Sequence, residues 1–365
     1  MSCTHTEPDM KPIINGRTRI KDIAMKAGVS TGTVDRVLHN RGEVSEATRE
    51  HVLNIIKELD YTPNILAKSL ASKKVYSIAA LIPAAGDNNQ YWEKPLAGFE
   101  QALSEIRDYN TNVLINTYDI DSSSSLAKAF RALLKEKPDG LVFAPFFSDT
   151  AVEIAGECEE KNIPYIFIDR NIEGLNNLAF FGQNGEHSGF LAARIMHYGV
   201  PDKSNVLVIK PGSSNASQQT DNREKGFLKF FNSSANTRQI NTIAVDVNVP
   251  VDDLPEKLDV ILKDIKGIFI TNSRAYKVAE YLEKRSMQDI VLIGYDLIDK
   301  NICCLEKGNI DFLIGQKPEE QGYKSVMALF NYLINRREVE KINYSPIDII
   351  MRENIDYYKN LNFIK

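Results

Sequence analysis

From Val75 onward, short apolar runs alternate with amphipathic segments of helix length, and this alternation limits the fold more than any other feature of the chain. The runs have strand length and are Ser77–Ile82, Val113–Thr117, Gly140–Ala144, Tyr165–Asp169, Ala179–Gly182, Val206–Lys210, Gly267–Thr271, Ile290–Gly294 and Phe312–Gly315. Alternating strands and helices predict parallel sheets covered by helices on both faces. Because so many strands exceed one ordinary open sheet, we expect two subdomains with a cleft between them.

Residues 20–60 follow a different pattern, with three short segments that each carry an apolar stripe at helical spacing. Gly28 is placed to end the first helix in a left-handed conformation. Ser30 and Ser45 are placed to cap the second and third helices. Three short helices with a glycine turn between the first two predict a helix-turn-helix unit.

Composition narrows the class of protein. No run of eighteen apolar residues occurs, and residues 1–17 lack the pattern of a secretory signal, so we expect a cytoplasmic protein with a disordered tail. The spacing of Cys3, Cys158, Cys303 and Cys304 fits no zinc site, and we expect neither metal nor cofactor. Residues 15–75 carry a net charge of +4 in a chain of net charge −5, an asymmetry typical of a head that meets phosphate.

Two stretches together carry a resemblance to a known family. The segment TRIKDIAMKAGVSTGTVDRVLH at 18–39, with Val44-Ser45-x-x-Thr48-Arg49 and Tyr61-x-Pro63-Asn64-x-x-Ala67-x-x-Leu70, resembles the head of the LacI/GalR (lactose-repressor) family. The body from Val75 resembles the ribose-type periplasmic sugar-binding proteins. The resemblance implies a transcriptional regulator with an all-α helix-turn-helix head and an α/β body. That body would hold two Rossmann-like parallel-sheet subdomains around a ligand cleft, as in type I periplasmic binding proteins.

The predicted domains follow from these patterns. The order is a tail at 1–17, a DNA-binding domain at 18–62, a hinge helix or linker at 63–75 and an effector-binding domain at 76–365. Within the effector domain, the N-subdomain is predicted at about 76–181 and 316–342, and the C-subdomain at about 182–315 and 343–365.

The second helix of a helix-turn-helix unit presents its first residues to base edges in the major groove. Arg36 can bond a guanine through two hydrogen bonds, although a solvated helix charge is the plain alternative. Gly32 and Asp35 depart from the residues usual in the family, so the operator sequence cannot be inferred from the operators of other members. The predicted DNA-binding residues are Ser30, Thr31, Gly32, Thr33, Arg36, His39, Thr48, Asn64, Ala67 and Leu70.

The resemblance also implies a role for the linker. In the family it folds into a hinge helix on DNA, and leucines from two chains wedge into the minor groove. Leu70 has that position here, and Ala67 would let the two helices approach. The alternative for Leu70 is packing against the body. The wedge requires two chains, so we expect a homodimer on a pseudo-palindromic operator.

Polar side chains follow several predicted strands, at the edge where parallel sheets bind ligands. They are Asp169, Arg170, Asn272, Asp296 and Gln316, and Arg223 opens a helix. All six match positions that hold sugar hydroxyls in ribose-type binding proteins, and Tyr91 and Trp92 are the aromatic candidates. The plain alternatives are a cap or loop brace for each aspartate, an ion pair for Arg170 and rim packing for Trp92.

The predicted effector is a sugar or polyol, and two aspartates with two arginines favour an uncharged one, with a phosphorylated sugar left open. Two other classes of function fit the sequence less well. A free-standing sugar carrier conflicts with the helix-turn-helix unit. An enzyme that uses Asp169 and Asp296 as acid and base lacks any accompanying motif, because Gly182-x-x-Gly185-x-x-x-Gly189 has the wrong spacing for a nucleotide loop. We therefore expect a regulator that is not an enzyme.

Overall fold

The computed structural model describes residues 18–38, 41–59, 61, 74–87, 89–212, 218–233, 239–245, 257–262, 264–287 and 289–359. The chain divides into two compact units, Met1–Lys68 and Ser69–Lys365. Within the described ranges, no helix is both long and apolar enough to cross a membrane.

The first unit contains three helices around a small apolar core. They are α1 (Ile20–Ala27), α2 (Thr31–Leu38) and α3 (Glu46–Glu58). One fully buried side chain from each helix meets at the centre, namely Ile23, Val34 and Val52.

The predicted signals at the helix ends are all present. Gly28 has φ +63° and ends α1, which leaves a connection of three residues before α2. The Ser30 hydroxyl accepts the backbone N–H of Thr33 at 3.0 Å, and Ser45 accepts that of Thr48 at 3.3 Å. The helix-turn-helix geometry therefore follows from local capping together with the shared core.

The second unit has two lobes, each built on a six-stranded sheet. In chain order, the N-lobe strands are β1 (Tyr76–Pro83), β2 (Thr111–Tyr118), β3 (Gly140–Phe143), β4 (Tyr165–Ile168), β5 (Ala179–Gly182) and β11 (Ile342–Tyr344). The C-lobe strands are β6 (Asn205–Pro211), β7 (Ile240–Val245), β8 (Ile265–Ile270), β9 (Val291–Tyr295), β10 (Phe312–Gly315) and β12 (Asp348–Ile350). The strand orders are β11-β5-β4-β3-β1-β2 and β12-β10-β9-β8-β6-β7, so the two sheets share one strand order.

Helices cover both sheets. Those of the N-lobe are α4 (Glu93–Ile106), α5 (Ser123–Lys135), α6 (Ser148–Glu160) and α12 (Pro318–Asn335). Those of the C-lobe are α7 (Gly185–Gly199), α8 (Gln218–Ser233), α9 (Lys257–Leu262), α10 (Ala275–Lys284), α11 (Asp299–Lys307) and α13 (Ile355–Lys359). The central strands are buried on both faces: every residue of β3 and β4 is buried, and Ile78 of β1 lies opposite Val113 and Gly140. In the C-lobe core, the rings of Phe227 and Phe269 stack at 4.6 Å.

The predicted fold class is confirmed, and the strands that were missed are edge strands. β7, β11 and β12 lie at sheet edges, and β11 and β12 have only three residues each, too few for a clear apolar pattern. β12 pairs antiparallel with β10, whereas the other strand pairs in the described residues are parallel. The short helices α9, α11 and α13 were also not predicted.

The chain crosses between the lobes at three places, after β5, after β10 and after β11. Gln183 joins the three crossings, since its side-chain amide donates to Gly315 O at 2.9 Å and to Pro346 O at 3.2 Å. The backbone N–H of Ser345 donates to Gly182 O at 2.7 Å. These bonds tie the crossing segments into one hinge below the cleft.

Candidate functional site: the interlobe cleft and the exposed face of α2

Two aspartates end equivalent strands in the two lobes in the same unusual conformation. Asp169 follows β4 with φ +64°, and Asp296 follows β9 with φ +74°. Each backbone N–H donates to the neighbouring strand at 3.0 Å, to Phe181 O and Ile314 O respectively. Positive φ is uncommon for residues other than glycine and concentrates at functional positions. Here it turns both carboxyl groups into the cleft.

The cleft encloses a cavity of about 270 Å³. All eight residues predicted to bind the effector line it: Tyr91, Trp92, Asp169, Arg170, Arg223, Asn272, Asp296 and Gln316. The structure thus brings together side chains from six separate stretches of the sequence. Their contacts with an effector stay a prediction.

On the N-lobe wall, the polar groups bond to one another. The Tyr91 hydroxyl donates to Asp169 Oδ1 at 2.9 Å, and Arg170 Nε donates to Asp169 Oδ2 at 3.4 Å. The Arg170 guanidinium also lies over the ring of Phe146, 3.3 Å from its centroid. Burial and the Asp169 charge raise the pKa of Tyr91 well above its usual value, and burial lowers the pKa of Arg170.

The Trp92 indole is almost fully buried and packs within an aromatic cluster at the cavity wall. Its ring meets those of Tyr91 and Phe146 edge-on, at 5.1 and 5.6 Å between centroids. The indole therefore lines the cavity and also packs against its neighbours, and its contact with an effector stays a prediction.

On the C-lobe wall, Arg223, Gln316 and Asp296 form a hydrogen-bonded chain. Arg223 Nη2 donates to Gln316 Oε1 at 2.5 Å, and Gln316 Nε2 donates to Asp296 Oδ1 at 2.6 Å. Arg223 Nη1 donates to the carbonyl of Thr271 at 2.8 Å, and its guanidinium lies over the ring of Tyr295. Burial raises the pKa of Asp296 to about 7, although Arg223 and Gln316 oppose that rise.

Arg223 is held in place by a close helix crossing. A Cβ at Gly226 of α8 would lie 1.9 Å from Glu186 O of α7, and a Cβ at Gly189 of α7 would lie 1.9 Å from Arg223 O. Only glycine permits backbones this close. The crossing sets the depth at which the Arg223 side chain enters the cleft.

Two amides have bracing roles. Asn272 lines the cavity, and its Oδ1 accepts the backbone N–H of Arg274 at 3.0 Å. Gln321 was missed in the sequence. Its amide donates to Gln316 O at 2.8 Å and accepts the backbone N–H of Asp169 at 3.3 Å, so it links the crossing after β10 to the end of β4.

Several buried polar atoms near the cleft have no hydrogen-bond partner in the described structure. Arg223 Nε and Asn171 Oδ1 belong to cavity-lining residues, and Thr271 Oγ1 lies on the residue that Arg223 bonds. Buried polar groups are nearly always paired, and these three atoms have no partner among the described residues. The same is true of Gln183 Oε1 in the hinge and of Asn309 Nδ2, neither of which lines the cavity. Phe146, Asn171, Gln219 and Arg274 also line the cavity and were not singled out as ligand residues. The strand-end rule would have reached Phe146 and Asn171, because they follow β3 and β4.

The two lobes also meet directly at one side of the cleft. Gln90, in the 3-10 turn Gln90–Trp92, donates from Nε2 to Asp299 Oδ2 at 2.6 Å. The backbone N–H of Asp299, at the start of α11, donates back to Gln90 Oε1 at 2.9 Å. We call this pair the clasp. No cluster of three or more metal-ligating side chains occurs among the described residues.

In the head, α2 presents an exposed face made of predicted base-contacting residues. Thr31, Gly32 and Arg36 are exposed, Thr33 is half-buried, and Val34 is buried in the core. The Ser30 and Thr33 hydroxyls bond each other at 2.9 Å, and those of Ser45 and Thr48 at 2.7 Å. The caps therefore hold these hydroxyls at the helix starts, where phosphate contacts are expected. His39, Asn64, Ala67 and Leu70 lie outside the described residues.

Comparisons with known proteins agree with this architecture. Residues 78–337 match the family model described as periplasmic binding protein domain, and residues 19–64 match the model described as bacterial regulatory proteins, lacI family. A crystal structure described as a LacI transcriptional regulator from Bacteroides fragilis is 36% identical, with a TM-score of 0.72 over 78% of this chain and 100% of that chain. The chain belongs to the lacI family of bacterial regulatory proteins. The predicted resemblance is thereby confirmed.

Curated relatives of this lacI-family chain align over different shares of their length. The HTH-type transcriptional regulator RegA of Clostridium saccharobutylicum is 37% identical over 148 residues, which are 40% of this chain and 42% of RegA. The ribose operon repressor of Halalkalibacterium halodurans is 28% identical over 288 residues, 76% of this chain and 80% of that protein. The alignment with RegA thus spans about two fifths of that relative. Activity, effector and partners are accordingly proposals for this member of the lacI family.

Proposed function

We propose that this chain is a sequence-specific DNA-binding transcriptional regulator whose operator affinity is controlled by a sugar or polyol in the interlobe cleft. Its genes would serve carbohydrate use, and it would act as their repressor. The proposal rests on the observation that one chain contains both a helix-turn-helix head and a cleft lined by residues with unpartnered buried polar atoms.

The chemistry of the cleft favours polyhydroxylated ligands. A hydroxyl both donates and accepts, so vicinal hydroxyls suit a wall that mixes carboxylates, amides and guanidiniums. The volume of about 270 Å³ lies just under the range of pockets for drug-sized ligands and suits a single monosaccharide. The carboxylate of Asp169 is met by Tyr91 and Arg170 and balances one guanidinium, which favours an uncharged sugar.

Operator recognition would use the exposed face of α2. Arg36 would read a guanine, and Thr31 and Thr33 would contact adjacent groups in the major groove. We propose a homodimer on a pseudo-palindromic site, in the cytoplasm, with Ala67 and Leu70 at the minor-groove contact. The exposure of Thr31 and Arg36 supports the arrangement of the head.

Effector binding would be coupled to DNA binding by the movement of the two lobes about the hinge. A ligand shifts such an equilibrium only as far as its affinities for the two states differ. We also propose that the protein releases the effector chemically unchanged. Asp169 is hydrogen-bonded to Tyr91 and Arg170, and Asp296 to Gln316, and no nucleophile motif accompanies the two carboxyl groups.

The test is a thermal-shift screen of the purified chain against pentoses, hexoses, disaccharides, polyols and sugar phosphates. A ligand at a hundredfold excess over its Kd stabilises by about 2.7 kcal/mol, so a true effector raises the melting temperature visibly. The chain is then used to select fragments from a genomic DNA library, with and without the effector.

One sugar that both stabilises the chain and changes the amount of a selected fragment would support the proposal. A sugar carrier would bind the sugar and select no DNA. An enzyme would return a changed sugar, which chromatography of the incubated sample detects. No stabilising compound in the panel would overturn the sugar effector and leave the DNA-binding part to be judged by the fragment selection.

A further inference from the structure

One of the unpartnered buried atoms belongs to Asn171, a residue that was not among the predicted ligand-binding residues. Asn171 lies in the loop between β4 and β5, two residues after Asp169, and it lines the cavity. Its Oδ1 is buried and has no hydrogen-bond donor in the described structure. An amide carbonyl that leaves water without gaining a donor destabilises the fold.

The neighbours of Asn171 do not need this carbonyl. Arg170 donates to Asp169 and lies against Phe146, while Tyr91 donates to Asp169. These polar side chains thus bond one another, and in the described structure none of them donates to Asn171 Oδ1. That acceptor belongs to a residue lining the cavity.

A second asparagine in the same loop shows what a structural amide does. Asn177 is buried, its Nδ2 donates to Ala179 O at 2.9 Å, and its Oδ1 accepts Lys341 Nζ at 3.3 Å. Both polar side-chain atoms of Asn177 therefore have a partner within the protein, whereas Asn171 Oδ1 in the same loop has none.

The opposite wall of the cleft contains a buried donor that lacks an acceptor. Arg223 Nε is buried and lacks an acceptor, and Arg223 belongs to the C-lobe. An unmet acceptor in one lobe and an unmet donor in the other suit a ligand that offers both kinds of group. Hydroxyls do so, because each can donate to a carbonyl and accept from a guanidinium.

We propose that Asn171 is a specificity-determining residue of the cleft, whose side-chain amide binds one particular hydroxyl of the sugar or polyol. The assignment rests on the proposed function and deepens it, since it makes one side chain responsible for choosing between sugars that differ at one carbon. A site built to bond a hydroxyl strongly rejects the analogue that lacks it, because its own polar group is then left unpaired.

The experiment compares wild type, Asn171→Leu and the matched control Asn177→Leu. Leucine has the same number and branching of side-chain heavy atoms as asparagine and lacks polar atoms. Calorimetric titrations use D-ribose, D-allose, D-glucose and D-galactose, each with its set of monodeoxy derivatives. We expect wild type to bind one parent sugar at least tenfold more tightly than one of its deoxy derivatives, and Asn171→Leu to bind those two compounds equally.

The melting temperature of the ligand-free protein supplies the second readout. Asn171→Leu removes an unpartnered group, so we expect no fall, whereas Asn177→Leu removes two hydrogen bonds and lowers the melting temperature by several degrees. An equal fall in both variants would show that Asn171 is structural and would overturn the proposal.

Two further outcomes separate this proposal from the proposed function. Wild-type protein that binds none of the sugars would overturn the sugar effector and this assignment together. Wild-type protein that binds a sugar, with the same preference for parent over deoxy derivatives in Asn171→Leu, would overturn the assignment of Asn171 alone.

Discussion

Asp296 is a carboxylic acid buried beside an amide and a guanidinium, and its pKa of about 7 links folding to pH. Because this folded-state pKa lies above the unfolded value, the folded protein holds the extra proton between about pH 4 and 7. The free energy of unfolding therefore falls as pH rises through that window, by up to about 4 kcal/mol. We expect Asp296→Asn to gain stability relative to wild type from pH 5 to pH 8 in urea titrations. A difference that stays constant with pH would contradict the assignment.

Arg36 belongs to the exposed face of α2, and its loss should act on specificity rather than on folding. A bidentate arginine–guanine pair contributes about 1–3 kcal/mol of discrimination. We expect Arg36→Ala to weaken operator binding roughly 5- to 150-fold and to relax the preference at one base pair. Fluorescence anisotropy with operator variants measures both. Lys57→Ala, which removes the same charge from the exposed end of α3, should leave the base preference intact.

The crossing of α7 and α8 is the element that places Arg223, so damage there should reach the cleft. A methyl group at Gly226 would overlap the backbone of Glu186. We expect Gly226→Ala to cost about 1–3 kcal/mol or more and to abolish effector binding. The matched control is Gly156→Ala on α6, where an added Cβ meets nothing within 4 Å and should stabilise by about 0.5–1 kcal/mol. Urea titrations and calorimetry check both variants. Unchanged effector binding in Gly226→Ala would contradict this role.

Buried central strands and their ends were predictable from the sequence because each depends on local pattern. β4 is an unbroken apolar run, and Asp169 stands directly after it. The strand-end rule therefore found cleft residues from both lobes without knowledge of the sheet order. Edge strands such as β11, with three partly exposed residues, carry too little apolar signal for such detection.

Contacts that depend on tertiary approach could not be predicted in this way. Gln90 and Asp299 are 209 residues apart, and nothing in either neighbourhood marks them as partners. Gln183 is a similar case, since its importance comes from two other crossings that are distant in sequence. An unsatisfied atom such as Asn171 Oδ1 is recognisable only once all of its neighbours are known.

At the scale of the whole molecule, the two lobes are joined by the hinge at one end of the cleft and by the clasp at its side. The hinge bonds of Gln183 connect crossing segments and persist when the lobes rotate about them. The two clasp bonds connect one lobe to the other and exist only when the lobes are together. The clasp therefore favours the closed arrangement by the free energy of two largely exposed hydrogen bonds, about 0.5–1.5 kcal/mol each.

Removal of the clasp should shift the molecule toward an open form even without an effector. We expect Gln90→Ala to increase the radius of gyration of the ligand-free protein in solution scattering. Apparent effector affinity should fall about 5-fold or more, because the closed, binding-competent fraction becomes smaller. Gln101→Ala, which removes the same amide from α4 in the same lobe, is the matched control. If Gln90→Ala left both radius and affinity unchanged, the clasp would be a surface contact without influence on closure. If affinity fell while the radius stayed constant, Gln90 would act on the effector itself rather than on the lobes.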